Sequence, residues 1–106
     1  MYEQEDDLLE RYLYHYSRVL IKLGEYDKAL EFLIKYESIC RKHNLLSNLV
    51  WCLNFQAYIL AHRNRFEDAL KKYKNLEQLY SYINNPNQIA NSLQKQANLY
   101  KKIGQT

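Results

Sequence analysis

Cys40 and His43 come nearest to chemistry by type and spacing, two metal-ligating side chains three positions apart. A closed zinc site needs four such ligands, and no second Cys/His pair with suitable spacing exists in the chain. The pair therefore reads as a packed thiol beside an exposed imidazole, and no metal is expected. His15 and His62 are lone imidazoles on stretches of helical periodicity, with no nucleophile and base arrangement built around them. There is no glycine-rich phosphate loop, no Gly-x-Ser-x-Gly elbow and no His-Glu-x-x-His. The expectation is a chain with no catalytic residues, no cofactor and no enzymatic activity. Cys40 and Cys52 are the two cysteines, and in so core-rich a chain they read as small buried hydrophobes of a reducing, cytoplasmic compartment rather than as a disulfide.

The elements that would carry these side chains are helices. Two glycines and one proline in 106 residues leave few turn signals, so an all-α fold is expected over many short strands. With 47% apolar and 25% charged residues, the chain suits one globular domain, 1–106. No apolar run reaches the length of about 18 residues that a bilayer-spanning helix needs, so no membrane is expected. The opening is acidic, with Glu3, Glu5, Asp6, Asp7 and Glu10 where carboxylates favour the positive end of a starting helix. A formal net charge of +3 is too mild to indicate nucleic acid as a partner.

A forty-residue period organises the chain. Leu23-Gly24-Glu25-Tyr26-Asp27-Lys28-Ala29-Leu30 returns as Arg63-Asn64-Arg65-Phe66-Glu67-Asp68-Ala69-Leu70, and Ile103-Gly104-Gln105-Thr106 begins it a third time. Leu13, Leu53 and Leu93 align, as do Ser17, Ala57 and Ala97, then Leu20, Leu60 and Tyr100. The small residues mark close helix approach. Spacing such as Leu13, Tyr16, Ser17, Leu20 and Tyr26, Ala29, Leu30, Leu33, Tyr36 predicts two amphipathic helices per unit. Five helices follow, at about 6–23, 26–43, 47–62, 66–83 and 86–103. Gly24 and Asn64 suit left-handed helix ends, Ser47 is a candidate cap, and Asn85 before Pro86 gives a cap and a first-turn proline. Of the eleven tyrosines, Tyr16, Tyr26, Tyr36, Tyr73 and Tyr100 are expected to face the core, whereas Tyr14 and Tyr58 do not fit that role.

The anchors Gly24-x-Tyr26-x-x-Ala29-Leu30 and Asn64-x-Phe66-x-x-Ala69-Leu70, with a small residue in the middle of each preceding helix, resemble the tetratricopeptide repeat. The forty-residue period is similar to the variety in kinesin light chains and bacterial regulators. The resemblance implies a right-handed α-solenoid of antiparallel helix-turn-helix repeats. About two and a half repeats would span roughly 7–46, 47–86 and, in part, 87–106. The terminal Gly104-Gln105-Thr106, matching the repeat anchor, reads as the start of another second helix and favours a piece of a longer array. Asn64 stands where the family prefers glycine, and Gln56 and Gln96 where it prefers large apolar residues.

Counting 100° per residue, the first-helix face away from Leu13 and Leu20 carries Arg11, Tyr14, Arg18 and Lys22. Its equivalents are Trp51, Asn54, Tyr58 and His62, then Asn91, Gln94, Asn98 and Lys102. The resemblance implies that this face lines a concave groove for an extended peptide. Arginines can clamp carboxylates, amides can bond a peptide backbone, and Trp51 and Tyr58 offer rigid contact area, so the expected partner is a protein or peptide, acidic in character. The carboxylate clamp of chaperone-binding members is not matched, since Tyr14, Arg18 and Phe55 occupy its positions. A regulatory or self-associating domain of a larger signalling or transcription protein is the rival reading. RNA binding is a third, against which the period counts.

Overall fold

The computed structural model describes residues 4–105, and of Gln4 only the backbone. Glu3 and Thr106, counted above in the acidic start and in the third anchor, lie outside the described residues. The described residues form five α-helices: α1 (Gln4–Lys22), α2 (Tyr26–Lys42), α3 (Leu46–His62), α4 (Phe66–Tyr82) and α5 (Pro86–Gly104). Each lies within two residues of its expected range, because apolar spacing at 3.6 residues per turn is a local property. No helix is long and apolar enough to cross a membrane among the described residues.

Four turns of one design join them. Gly24, Asn44, Asn64 and Asn84, twenty residues apart, take φ values of 75°, 59°, 62° and 56°. At each, the N–H of this residue donates to the carbonyl three back and the next N–H to the carbonyl five back. The first and last are Gly24 to Ile21 (3.0 Å) with Glu25 to Leu20 (2.9 Å), and Asn84 to Ser81 (3.1 Å) with Asn85 to Tyr80 (2.9 Å). This closes the orphan carbonyls of the ending helix, and only glycine or asparagine adopts the left-handed angle cheaply. The carbonyls of Glu25, Leu45, Arg65 and Asn85 then accept the first bond of the next helix.

Of three expectations about helix ends, two change and one holds. Ser47 lies inside the first turn of α3, because the left-handed Asn44 lets the helix start from the Leu45 carbonyl. Asn85 does cap α5, its Oδ1 accepting from the Gln88 N–H at 3.3 Å. Gly104 is the last residue of α5 and lacks the positive φ of Gly24.

The chain divides into two units, Met1–Cys52 and Leu53–Thr106, with the boundary inside α3. In the first, α1 packs on α2 and buries Leu13, Ser17 and Leu20, against Ala29, Leu33, Tyr36, Ile39 and Cys40. In the second, α4 and α5 pack, with Ala69, Leu70, Tyr73, Leu76 and Tyr80 on one side and Ser92, Gln96 and Leu99 on the other. Ala29 and Ala69 are fully buried, as close helix contacts require. Leu93, Ala97 and Tyr100, aligned with core positions of the earlier repeats, are exposed instead, because α5 turns its Ser92/Gln96/Leu99 face to α4. Tyr16, also expected inside, is 36% exposed on the outer side of α1.

Candidate functional site

In the first unit, Tyr14, Tyr36 and Trp51 come from α1, α2 and α3 to form one aromatic cluster. Ring centroids lie 4.8 Å apart for Tyr14 and Trp51, 5.9 Å for Tyr36 and Trp51, and 5.8 Å for Tyr14 and Tyr36. The Arg18 guanidinium stands over the Tyr14 ring at 5.5 Å, one helical turn along. Tyr14 and Trp51 are half-buried and Arg18 is exposed, so the cluster presents a packed aromatic surface edged by a cation. Three of the expected face residues, Tyr14, Arg18 and Trp51, are thus brought together.

Beneath the surface lies a polar network that the sequence did not disclose. Tyr36 is fully buried, and its hydroxyl donates to Glu10 Oε2 at 2.8 Å while accepting from Asn48 Nδ2 at 2.7 Å. Burial, and then the carboxylate partner, push the Tyr36 hydroxyl well above its usual pKa, so it stays a proton donor. The network pins α1, α2 and the start of α3 under the aromatic cluster. Tyr36 was legible only as a core residue, and nothing in spacing alone announced Glu10 and Asn48 as its partners. Glu10 also places a carboxylate beneath a face otherwise edged by cations.

Arg11 falls apart from this cluster. It lines a concavity on the outer side of α1 together with Leu8, Tyr12, His15, Tyr16 and Val19. Lys22 is exposed at the end of α1. His43, considered above beside Cys40, bonds Asp6 through Nε2 at 2.7 Å, and Lys42 Nζ donates to the same Asp6 oxygen at 2.8 Å. These two bonds hold the Asp6 carboxyl below its usual range. Cys40 is buried, and burial pushes its thiol up to about 11. Cys52 is buried too and donates to the Leu33 carbonyl at 3.0 Å.

The second unit carries the other face residues in a different manner. Asn54 donates through Nδ2 to the Tyr80 hydroxyl at 3.0 Å, which commits that nitrogen to the fold. Tyr58 stacks on His62 with centroids 5.5 Å apart, both exposed. Asn91 donates to Gln88 at 3.4 Å, and Lys102 Nζ stands 5.9 Å from the Phe66 ring centroid. Gln94 and Asn98 are exposed on α5.

The fold and this geometry define a class, an all-α chain that presents an aromatic and cationic surface. No protein-family model, curated protein or solved structure matches the chain.

Proposed function

We propose that this chain is a cytoplasmic protein-binding scaffold of the tetratricopeptide type, a helix-hairpin solenoid without catalysis of its own. In this reading an extended, acidic peptide lies on the face that carries Tyr14, Arg18 and Trp51. The observation that carries it is the Tyr14/Tyr36/Trp51 cluster with Arg18 beside it, because rigid half-buried aromatics next to an arginine are the usual composition of binding hot spots. The repeat reading is supported by the identical turns at Gly24, Asn44, Asn64 and Asn84. It is supported also by the Cys52 to Leu33 bond, which recurs forty residues on as Ser92 Oγ to the Tyr73 carbonyl at 2.8 Å.

Trp51 is the one tryptophan, so its emission reports the site directly. Titration with glutamate-rich peptides should shift that emission, with affinity falling as salt rises through about 0.1 M. Arg18→Ala with Trp51→Ala, followed by calorimetry, should abolish binding without loss of helix. Preference for basic or wholly apolar peptides, or binding indifferent to the double change, would remove this reading. A regulatory or self-associating domain is the second reading, favoured by Leu93 and Tyr100, which leave α5 with an apolar face 47% and 52% exposed. Light scattering at high concentration separates the two.

A further inference from the structure

A different face of α1 carries an apolar surface that the groove reading does not use. Leu8, Tyr12, Tyr16, Val19 and Leu23 recur at steps of four and three residues and so form one stripe, between 36% and 71% exposed. On the helical wheel this stripe lies roughly 120–160° from Tyr14 and Arg18. It has a firm floor: Tyr12 and Tyr16 stack at 5.7 Å, and both meet the edge of Phe32 from α2, at 6.1 Å and 4.8 Å. Between its side chains is the open concavity of about 480 Å³ lined by Leu8, Arg11, Tyr12, His15, Tyr16 and Val19.

Two observations say what fits there. The first is charge. Arg11 and His15 are among the residues lining the concavity and no carboxylate is, while on α2 Lys35 stands 5.5 Å over the Phe32 ring that Tyr12 and Tyr16 meet. The second is the internal register. Tyr12, Tyr16 and Val19 correspond, eighty residues on, to Ser92, Gln96 and Leu99, all buried. Those positions lie under α4, with Ser92 Oγ donating to the Tyr73 carbonyl and Gln96 Nε2 donating to Glu77 at 2.9 Å. A helix bearing a carboxylate thus covers this register in the second unit, whereas in α1 the same register is open and edged by cations.

We propose that the outer face of α1 is a docking site for an amphipathic helix of another protein, whose apolar stripe is flanked by Asp or Glu. The apolar stripe of such a helix lies along Leu8, Tyr12, Tyr16 and Val19, and its carboxylates meet Arg11 and Lys35. This is the helix-in-groove mode, in which residues at i, i+3 or i+4 and i+7 anchor in an apolar trough. It is separate from the peptide site at Trp51, and the full chain offers both.

The probe is a pair of synthetic peptides of about 18 residues with the same leucine stripe and no aromatics, one flanked by glutamates and one by lysines. Calorimetry on the full chain should show the glutamate peptide binding at least about tenfold tighter than the lysine peptide. Tyr12→Ser with Val19→Ser, both at exposed positions and checked for helix content, should weaken it by about tenfold or more. Arg11→Glu alone should reduce the preference for the glutamate peptide. Trp51 emission should stay unchanged, and Arg18→Ala with Trp51→Ala should bind the probe as the parent does, which keeps this outcome distinct from the groove's. Equal binding of both peptides, or indifference to the Tyr12/Val19 change, overturns the proposal. So does absence of peptide binding in a chain that instead dimerises, or sediments with phosphatidylserine vesicles, through these residues.

Discussion

The two units place different chemistry on matching positions of the forty-residue register, and the cause is traceable to one exchange. Position 36 is tyrosine in the first unit and its counterpart, position 76, is leucine in the second; both side chains are fully buried. A buried hydroxyl is costly to leave unbonded, and Glu10 and Asn48 bond that of Tyr36 while the rings of Tyr14 and Trp51 close over it. Leu76 needs no partner. In the second unit a tyrosine hydroxyl is bonded by Asn54 at Tyr80 instead, and the remaining face residues are exposed amides, Lys102 and a Tyr58/His62 stack. Repeated backbone geometry therefore does not copy a site; a site forms where a buried polar group recruits its neighbours.

The sharpest way to break this contrast is to exchange the two residues. Leu76→Tyr would bury a hydroxyl in a core with no partner set for it and overpack the α4/α5 contact. We expect a loss of at least about 3 kcal/mol in chemical denaturation. Tyr36→Leu leaves Glu10 and Asn48 without the hydroxyl and should cost less, about 1–3 kcal/mol, while loosening Trp51 so that its emission shifts red. If both exchanges are neutral, the network does not organise the first unit.

A more even response is expected where the units agree. Ala29 and Ala69 are both fully buried at the same register, and Ala29→Leu or Ala69→Leu should each destabilise by about 1–3 kcal/mol through overpacking. Thermal unfolding of the two variants should give similar shifts, and a change below about half a kcal/mol in either would mean that the helices do not approach closely there.

Ser17 should show the opposite sign. Its hydroxyl is buried with no hydrogen-bond partner among the described residues, and the second unit has alanine at that register, Ala57, also fully buried. Ser17→Ala should stabilise by about 1 kcal/mol, since it removes an unsatisfied polar group and keeps the close approach. A loss of stability would show that the hydroxyl is bonded in solution.

The smallest effect belongs to a tie found in the first unit, where Asp6 on α1 holds Lys42 and His43 at the end of α2. Because the folded carboxyl titrates below its ordinary value, its contribution is present above that value and is lost as pH falls through the lower, folded one. Asp6→Asn should therefore flatten the acid limb of a stability profile below about pH 5 and leave the alkaline side unchanged. An unaltered acid limb would show that the tie is fully screened.

Much of the architecture is set by neighbours close along the chain, which is why the sequence alone determined it. The helices follow from apolar residues every three or four positions, and Gly24 and Asn64 end helices because their left-handed φ is cheap only for such residues. Asn44 and Asn84 do the same, yet asparagine tolerates that geometry without demanding it, so sequence alone assigned a cap to Ser47, which instead lies inside α3, while Asn85 does cap α5. The Tyr14, Arg18 and Trp51 face was also legible, because wheel position is local to each helix. What only the tertiary structure decided depends on which helix lies over which. Its choices are the burial of Ser92, Gln96 and Leu99 rather than Leu93, Ala97 and Tyr100, and the meeting of Tyr36 with Glu10 and Asn48 across 26 and 12 residues of chain. Periodicity shows that a helix has an apolar face; the direction from which it is covered, and the polar partner each buried hydroxyl finds, are settled by contacts between segments distant in sequence.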